Sequence, residues 1–344
     1  MTSSTPPQLP IPSHFDANKV GEVWRVPYQQ RASEAQNWAK QHQIQPAATD
    51  EMQVCLLLID VQNTFCLPDF ELFVGGKSGQ AAVEDNTRLC EFIYRNLGKI
   101  SKIVATLDTH SAMQIFHPIF WVNEKGEHPQ PAVTLIQFEE VKNGVWKVNP
   151  AIADSLADGD YQTLEKHALH YTQQLSDGGR FPLTVWPYHS MLGGIGHALV
   201  SAVEEAVFFH TVSRQSQVDF ELKGDHPLTE NYSVFKPEVL DTFGGRSIAQ
   251  KNDRLIQNIL DFDRVIVAGQ AQSHCVAWTV EDLLTEIQQR DPNLAQKIYL
   301  LEDCTSPVVV PGIVDYTEQA KTAFKRFAEA GMNRVKSTEI SSWW

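Results

Sequence analysis

Val265-Ile-Val-Ala-Gly-Gln-Ala-Gln-Ser-His-Cys-Val-Ala-Trp-Thr-Val280 reads as a short apolar strand, a turn of small residues, and a helix with Cys275 at its mouth. A strand that passes at once into a helix is half of a parallel crossover unit. A thiol at that junction meets the first-turn amides and the positive end of the helix dipole, both of which favour thiolate. Free cysteine is also among the most buried residue types and fills cores as a small hydrophobe. The segment alone leaves nucleophile and filler both open.

The same alternation runs outward in both directions. Apolar runs at 54–59, 102–107, 217–222, 264–268, 297–301 and 333–336 read as strands, and stretches at 81–96, 198–210, 247–260, 276–289 and 316–330 read as the helices between them. This predicts an α/β fold, a doubly wound, Rossmann-like parallel sheet of six strands with helices on both faces. Right-handed crossovers most economically give the order 3-2-1-4-5-6, with ligands expected beyond the carboxyl ends where strands one and four meet. Asp60 ends the first strand, Asp108 the second and Lys223 the third, and Cys275 follows the fourth.

Two regions depart from the repeat. Residues 1–50 form an N-terminal arm with one expected helix at 29–43, and Met1 to Ser13, rich in Pro and Ser, reads as a disordered leader without the basic start and apolar core of a secretory signal. The main α/β domain would then span 51–340, interrupted by an inserted subdomain at about 120–185 that is too long for a bare loop. Within it, 134–138 and 145–148 flank Lys-Asn-Gly as a hairpin would, and 161–175 looks helical. Its ends lie beside the candidate site, so a lid or an oligomer contact is expected of it.

Composition excludes several classes. The 28 basic and 42 acidic side chains leave a net charge of -14, which repels phosphate backbones and anionic lipid. Nucleic acid and membrane are therefore not expected partners, and apolar runs such as Cys55 to Ile59 are far too short to span a bilayer. The five cysteines are odd in number and scattered, which fits a reducing cytoplasm better than a disulfide frame. With its arm and insertion the chain reads as a homo-oligomer acting on a small molecule.

Asp60 closes Leu-Leu-Leu-Ile-Asp, where desolvation would raise a carboxylate toward a useful base, although an Asp just after a strand is also a common cap. Asp108 and His110, in Asp-Thr-His, can present both side chains to one side of a strand end, and His189 offers a third donor. One carboxylate and two imidazoles suit a divalent metal, Zn first with Fe or Mn as alternatives, and His117 is a candidate fourth ligand or supporting partner. Lys223 at a strand end would stabilise a neighbouring carboxylate and thiolate, with Lys236 as its rival.

Taken together these residues resemble the nicotinamidase branch of the isochorismatase-like cysteine hydrolases. Asp60-Val-Gln-Asn-Thr-Phe65, followed by Val74-Gly-Gly76, resembles the family's opening motif, which implies a catalytic Asp60 and a Phe65 that stacks on the substrate ring. Asp108-Thr-His110 and Trp186-Pro-Tyr-His189 resemble the metal motifs, with Trp186 as the other wall of the ring slot. Lys223-Gly224 with Asn231-Tyr-Ser-Val-Phe235 resembles the stretch carrying the catalytic lysine, which favours Lys223 over Lys236. Gly269-Gln-Ala-Gln-Ser-His-Cys275 resembles the nucleophile turn, which implies a cis peptide before Ala271, an oxyanion hole from the Ala271 and Cys275 amides, and Gln270 in contact with substrate. The likeness runs from about 52 to 337; Thr64 stands where the family usually has Asp, and Gln272-Ser273 where Thr-Asp is common.

The resemblance implies a metal-dependent amidase that uses Asp60, Lys223 and Cys275 and takes nicotinamide to nicotinate. Its alternatives are an isochorismatase-type or ureide-type hydrolase of another small molecule, and a catalytically silent binding or redox-sensing member. The metal set weighs against the first, and the intact Asp60, Lys223 and Cys275 weigh against the second.

Overall fold

The computed structural model describes residues 8–179 and 181–339. Six strands form one sheet: β1 Val54–Ile59, β2 Lys102–Asp108, β3 Asp219–Lys223, β4 Arg264–Gly269, β5 Ile298–Leu301 and β6 Asn333–Val335. Their spatial order, β6-β5-β4-β1-β2-β3, is the expected 3-2-1-4-5-6 arrangement. β1 pairs in parallel with both β2 and β4, and all six of its residues are buried. A parallel strand covered on both faces must be apolar throughout, which is why Val-Cys-Leu-Leu-Leu-Ile shows no alternation. Each such buried side chain contributes about 2 kcal/mol of transfer free energy.

The chain divides into two compact units. The first comprises Met1–Leu107, Ala198–Glu221 and Asp253–Trp344. Its crossover helices are Ala81–Arg95, Ser201–Arg214, Asp253–Asp261, Ala277–Arg290 and Thr317–Glu329. The third of these begins at Asp253 and not near Ser247, because the Asn252 N–H is taken by Phe235 O and the backbone at Ser247 bridges to Asp241. All five cysteines are free and buried.

The arm belongs to this first unit. Its helix, Tyr28–Gln41, packs along Ser201–Arg214. Arg31 Nε donates to Glu205 Oε1 at 2.7 Å and Ser213 Oγ to Ala35 O at 3.2 Å. The expected disordered leader falls partly outside the described residues; from residue 8 onward it is not loose, since the Leu9 N–H donates to Arg95 O and Leu9 and Ile11 pack on the core.

The second unit comprises Asp108–His197 and Leu222–Asn252. It has its own core around the fully buried Trp121, with Phe116, Phe120, Leu164 and Tyr171. The helix expected at 161–175 spans Tyr161–Asp177. The expected hairpin is absent. Leu135–Ile136 pairs with Leu183–Thr184, Lys147–Val148 pairs with Trp121–Val122, and Phe138–Lys142 is a short helix. A reciprocal capping box between Gln137 and Glu140 starts that helix and consumes the residues a hairpin would need. Among the described residues no helix is long and apolar enough to cross a membrane.

Candidate active site and metal centre

In the first unit, Asp60 follows the last residue of β1, is fully buried, and adopts the left-handed conformation with φ of 46°. Its N–H donates to Thr106 Oγ1 at 3.0 Å, and the Thr106 hydroxyl donates back to Asp60 Oδ1 at 2.5 Å. A hydroxyl inside the apolar strand β2 thus fixes the carboxylate. Thr106 was not singled out in the sequence, although an isolated polar residue in a buried strand signals a hydrogen-bonding duty.

The turn bearing Cys275 is carried by the neighbouring strand. Ile59 of β1 stands in register with Gly269 of β4, and the Gln270 N–H donates to Ile59 O at 2.8 Å. Gly269 has φ of 122°, and a Cβ there would lie 2.0 Å from Ile59 O, so only glycine permits this approach. The Gln270–Ala271 peptide is cis, as expected. A wide helical turn, Gln272–Val276, follows, with the His274 and Val276 N–H groups both donating to Ala271 O. Cys275 sits in this turn, 8% exposed, just before the helix Ala277–Arg290. Among the described residues the Ala271 N–H meets no acceptor.

Two expected substrate contacts are placed here as well. Phe65, in the turn Asn63–Cys66, is 9% exposed and packs in the main apolar cluster. Gln270 is 1% exposed; its Nε2 donates to Asp85 Oδ2 at 2.8 Å, and its Oε1 accepts from the Ser306 N–H at 3.3 Å. These two bonds hold the side chain and brace the turn, and leave one N–H and one oxygen lone pair of the amide.

The second unit holds the metal candidates and the lysine. Ligand atoms of Asp108, His110 and His189 all lie within 4.8 Å of one another, and all three residues are buried. His110 Nδ1 stands 2.9 Å from Gly224 O and His189 Nδ1 2.8 Å from Pro187 O. A carbonyl can only accept, so each Nδ1 carries the proton and each Nε2 turns a lone pair inward. Both Nε2 atoms face Asp108 Oδ2, at 2.7 Å and 3.4 Å. Lone pairs converging on a carboxylate need a cation or a shared proton, so the donor set fits a divalent metal. Burial pushes the His189 imidazole below its ordinary pKa, which keeps that lone pair available.

Asp108 is pushed up by burial, but His110 and Lys223 beside it hold it well below the usual carboxylate range. Lys223 is 3% exposed; its ammonium donates to Asp108 Oδ1 at 2.8 Å and to Asn231 O at 2.9 Å. Lys236 is half-buried. Gly224, with φ of +83°, is forced by crowding, since a Cβ there would lie 2.7 Å from His110 Cε1 and 3.0 Å from Asp108 Oδ1. Its carbonyl also accepts from Gln114 Nε2 at 2.7 Å, a support that carries no sequence signal.

His117 is not one of the three clustered donors. Its ring lies 5.9 Å from that of His110 and 5.8 Å from that of His189, and its Nδ1 donates to Ala112 O at 3.1 Å. Burial, followed by the two neighbouring histidines, pushes it down to about 3, so it stays neutral. Trp186 is half-buried, and its Nε1 donates to Glu230 Oε1 at 2.8 Å and lies 3.2 Å from Tyr232 Oη. Glu230 was not anticipated.

No family model and no curated protein matches the chain. Solved structures do match. A nicotinamidase/pyrazinamidase from Acinetobacter baumanii superposes with a TM-score of 0.50 at 18% identity, covering 85% of this chain and 100% of the other. The yeast nicotinamidase Pnc1p bound to the inhibitor nicotinaldehyde gives 0.47 at 15% identity, covering 83% and 100%. The pyrazinamidase of Pyrococcus horikoshii in complex with zinc gives 0.43 at 17%, covering 83% and 99%. The chain therefore shares the fold of the first of these, the nicotinamidase/pyrazinamidase.

Proposed function

We propose that this chain is a metal-dependent cysteine amidohydrolase acting on a small aromatic carboxamide, with nicotinamide to nicotinate and ammonia as the first substrate. One observation carries the reading. Asp60 and the turn bearing Cys275 hang from adjacent strands locked in register, and that turn presents the Ala271 N–H with no acceptor among the described residues.

In this reading Asp60 takes the proton from the Cys275 thiol as sulfur attacks the amide carbon. The Lys223 ammonium balances the negative charge that the step creates. The oxyanion forms against the Ala271 and Cys275 amides, a contact worth ~3 kcal/mol per donor. The proton returns from Asp60 to nitrogen, the C–N bond breaks, and ammonia leaves a thioester on Cys275. Water then gives Asp60 a proton and adds to the thioester carbon; the C–S bond breaks, the thiolate recovers that proton, and the acid departs. Phe65 and Trp186 pack on the two faces of the substrate ring. Asp108, His110 and His189 hold a divalent metal, zinc first with iron or manganese as alternatives, which when bound supplies a Lewis-acidic centre.

The five free cysteines and the net charge of -14 support a reading as a cytoplasmic protein, and the arm and second unit offer surface for a homo-oligomer. The test is ammonia release from nicotinamide, pyrazinamide and aliphatic amides, with and without added metal, for the native protein and Cys275→Ala. Metal-dependent release from the aromatic amides, lost in Cys275→Ala, is expected. No release from any amide, or undiminished release from the variant, removes the proposal.

A further inference from the structure

Trp186 stands three residues before His189 in the second unit and is only partly buried. A partly buried indole is free to turn about two side-chain bonds unless its N–H is held. Here it is held: Nε1 donates to Glu230 Oε1 at 2.8 Å, and the Tyr232 hydroxyl donates to the same carboxyl group. Glu230 is itself anchored. It is 6% exposed, its N–H donates to Tyr171 Oη at 3.3 Å, and its carbonyl accepts from the Glu238 N–H at 2.8 Å. Trp186 is tied a second time through its backbone N–H to Phe116 O at 2.8 Å.

We propose that Glu230 is a positioning residue that sets the angle of the Trp186 indole as a wall of the aromatic-amide slot; this rests on the function proposed above. A buried acid is an expensive way to fill space, because an apolar side chain of similar volume would pack there without desolvating a carboxyl. What the acid adds is a directional acceptor for two donors at once. Burial, and next the charge of Glu238, push the Glu230 carboxyl well above the usual range. Glu230 touches neither the substrate nor the reacting atoms and works only through Trp186.

The test uses the full chain labelled with 5-fluorotryptophan, with the Trp186 resonance assigned by Trp186→Phe. In Glu230→Leu that resonance should move or broaden while that of the fully buried Trp121 stays in place, and Glu230→Gln, which keeps an acceptor, should restore it. In parallel, the KM for nicotinamide should rise about tenfold in Glu230→Leu with kcat within about twofold, the signature of lost ring binding. Where Glu230→Leu does not fold, Glu230→Asp, which shortens the reach by one methylene, should give the same pair of changes. An unmoved Trp186 resonance, or Trp121 shifting alongside it, overturns the inference. The fluorine signal needs no turnover, so a native protein that hydrolyses no aromatic amide would sink the proposed function while this test still reads the positioning.

Discussion

Lys223 Nζ lies 2.8 Å from Asp108 Oδ1, while Oδ2 of the same carboxylate faces His110 Nε2 at 2.7 Å and His189 Nε2 at 3.4 Å. One buried carboxylate therefore serves an ammonium on one edge and two imidazoles on the other. Removing the ammonium leaves an uncompensated charge in the interior. Lys223→Met should lose about 3–5 kcal/mol of stability in urea unfolding and at least about 100-fold in ammonia release. Lys223→Arg should not rescue activity, because a planar guanidinium cannot stand in for a compact ammonium. A midpoint equal to that of the native protein would show that the pair carries no weight.

The other edge of that carboxylate gives a separate outcome. Asp108→Ala deletes the anionic donor from a set whose three ligand atoms lie within 4.8 Å. Elemental analysis after dialysis should find about one equivalent of metal per native chain and below about a tenth in the variant. Cys275→Ala should keep its full equivalent, since its thiol is not in the set. Equal metal in Asp108→Ala and native protein would mean that the ion, if any, sits elsewhere.

How far these features could be read from residues alone depended on how local their cause is. β1 and β4 announce themselves because a strand buried on both faces must be a continuous apolar run, and Asp60 and Asp108 were legible as the polar residues that end such runs, whereas Lys223 closes a strand whose other residues are largely exposed. The pairing of Leu135–Ile136 with Leu183–Thr184 was not legible, since its partner lies dozens of residues away and neither segment alternates long enough to show a face. The short helix at Phe138–Lys142 did carry a signal, Gln137 followed three residues later by Glu140, which the Lys-Asn-Gly turn obscured. Glu230 gave no sign of its bond to Trp186, because a lone glutamate in a polar stretch reads as solvated surface. For Gln270 the neighbours mark the turn, while the direction of its side chain is set by Asp85 and Ser306, which no local pattern announces.

Replacing the proposed nucleophile separates chemistry from folding. Cys275 is 8% exposed in the turn before Ala277–Arg290, and Cys275→Ala deletes one sulfur without disturbing the Ala271 carbonyl that accepts from His274 and Val276. Ammonia release should vanish while thermal stability changes by less than about 1.5 kcal/mol. With native enzyme and substrate quenched in acid, intact mass spectrometry should show the acyl adduct on the peptide containing Cys275. An adduct on any other residue would contradict the covalent scheme.

Gly224 offers a test of the candidate metal centre that replaces none of its ligands. Its φ of +83° and the 2.7 Å approach a Cβ would make to His110 Cε1 mean that Gly224→Ala must push the imidazole or the backbone aside. The variant should lose about 1–3 kcal/mol of stability and bind metal at least about tenfold more weakly, as when a supporting partner of a ligand is removed. Unchanged affinity in a metal-competition titration would show that His110 has slack the packing does not reveal.

His210 sets a pH dependence remote from the site. It is fully buried in Ser201–Arg214, its Nε2 donates to Ile100 O at 2.8 Å, and burial, with a smaller push from Arg214, lowers its pKa from 6.5 to about 4. Both states are neutral above pH 6.5, so the group has no effect there. Between 6.5 and about 4 the unfolded chain binds a proton that the folded chain refuses, so stability falls as the pH drops, and below about 4 the loss levels off. The gap is worth at most ~3 kcal/mol. In His210→Phe, Ile100 O keeps the Arg214 Nε donor at 3.3 Å, so the carbonyl is not orphaned. The decline in unfolding free energy between about pH 7.5 and about pH 4.5 should therefore be smaller in the variant than in the native protein. Equal slopes would show that His210 titrates alike in both states.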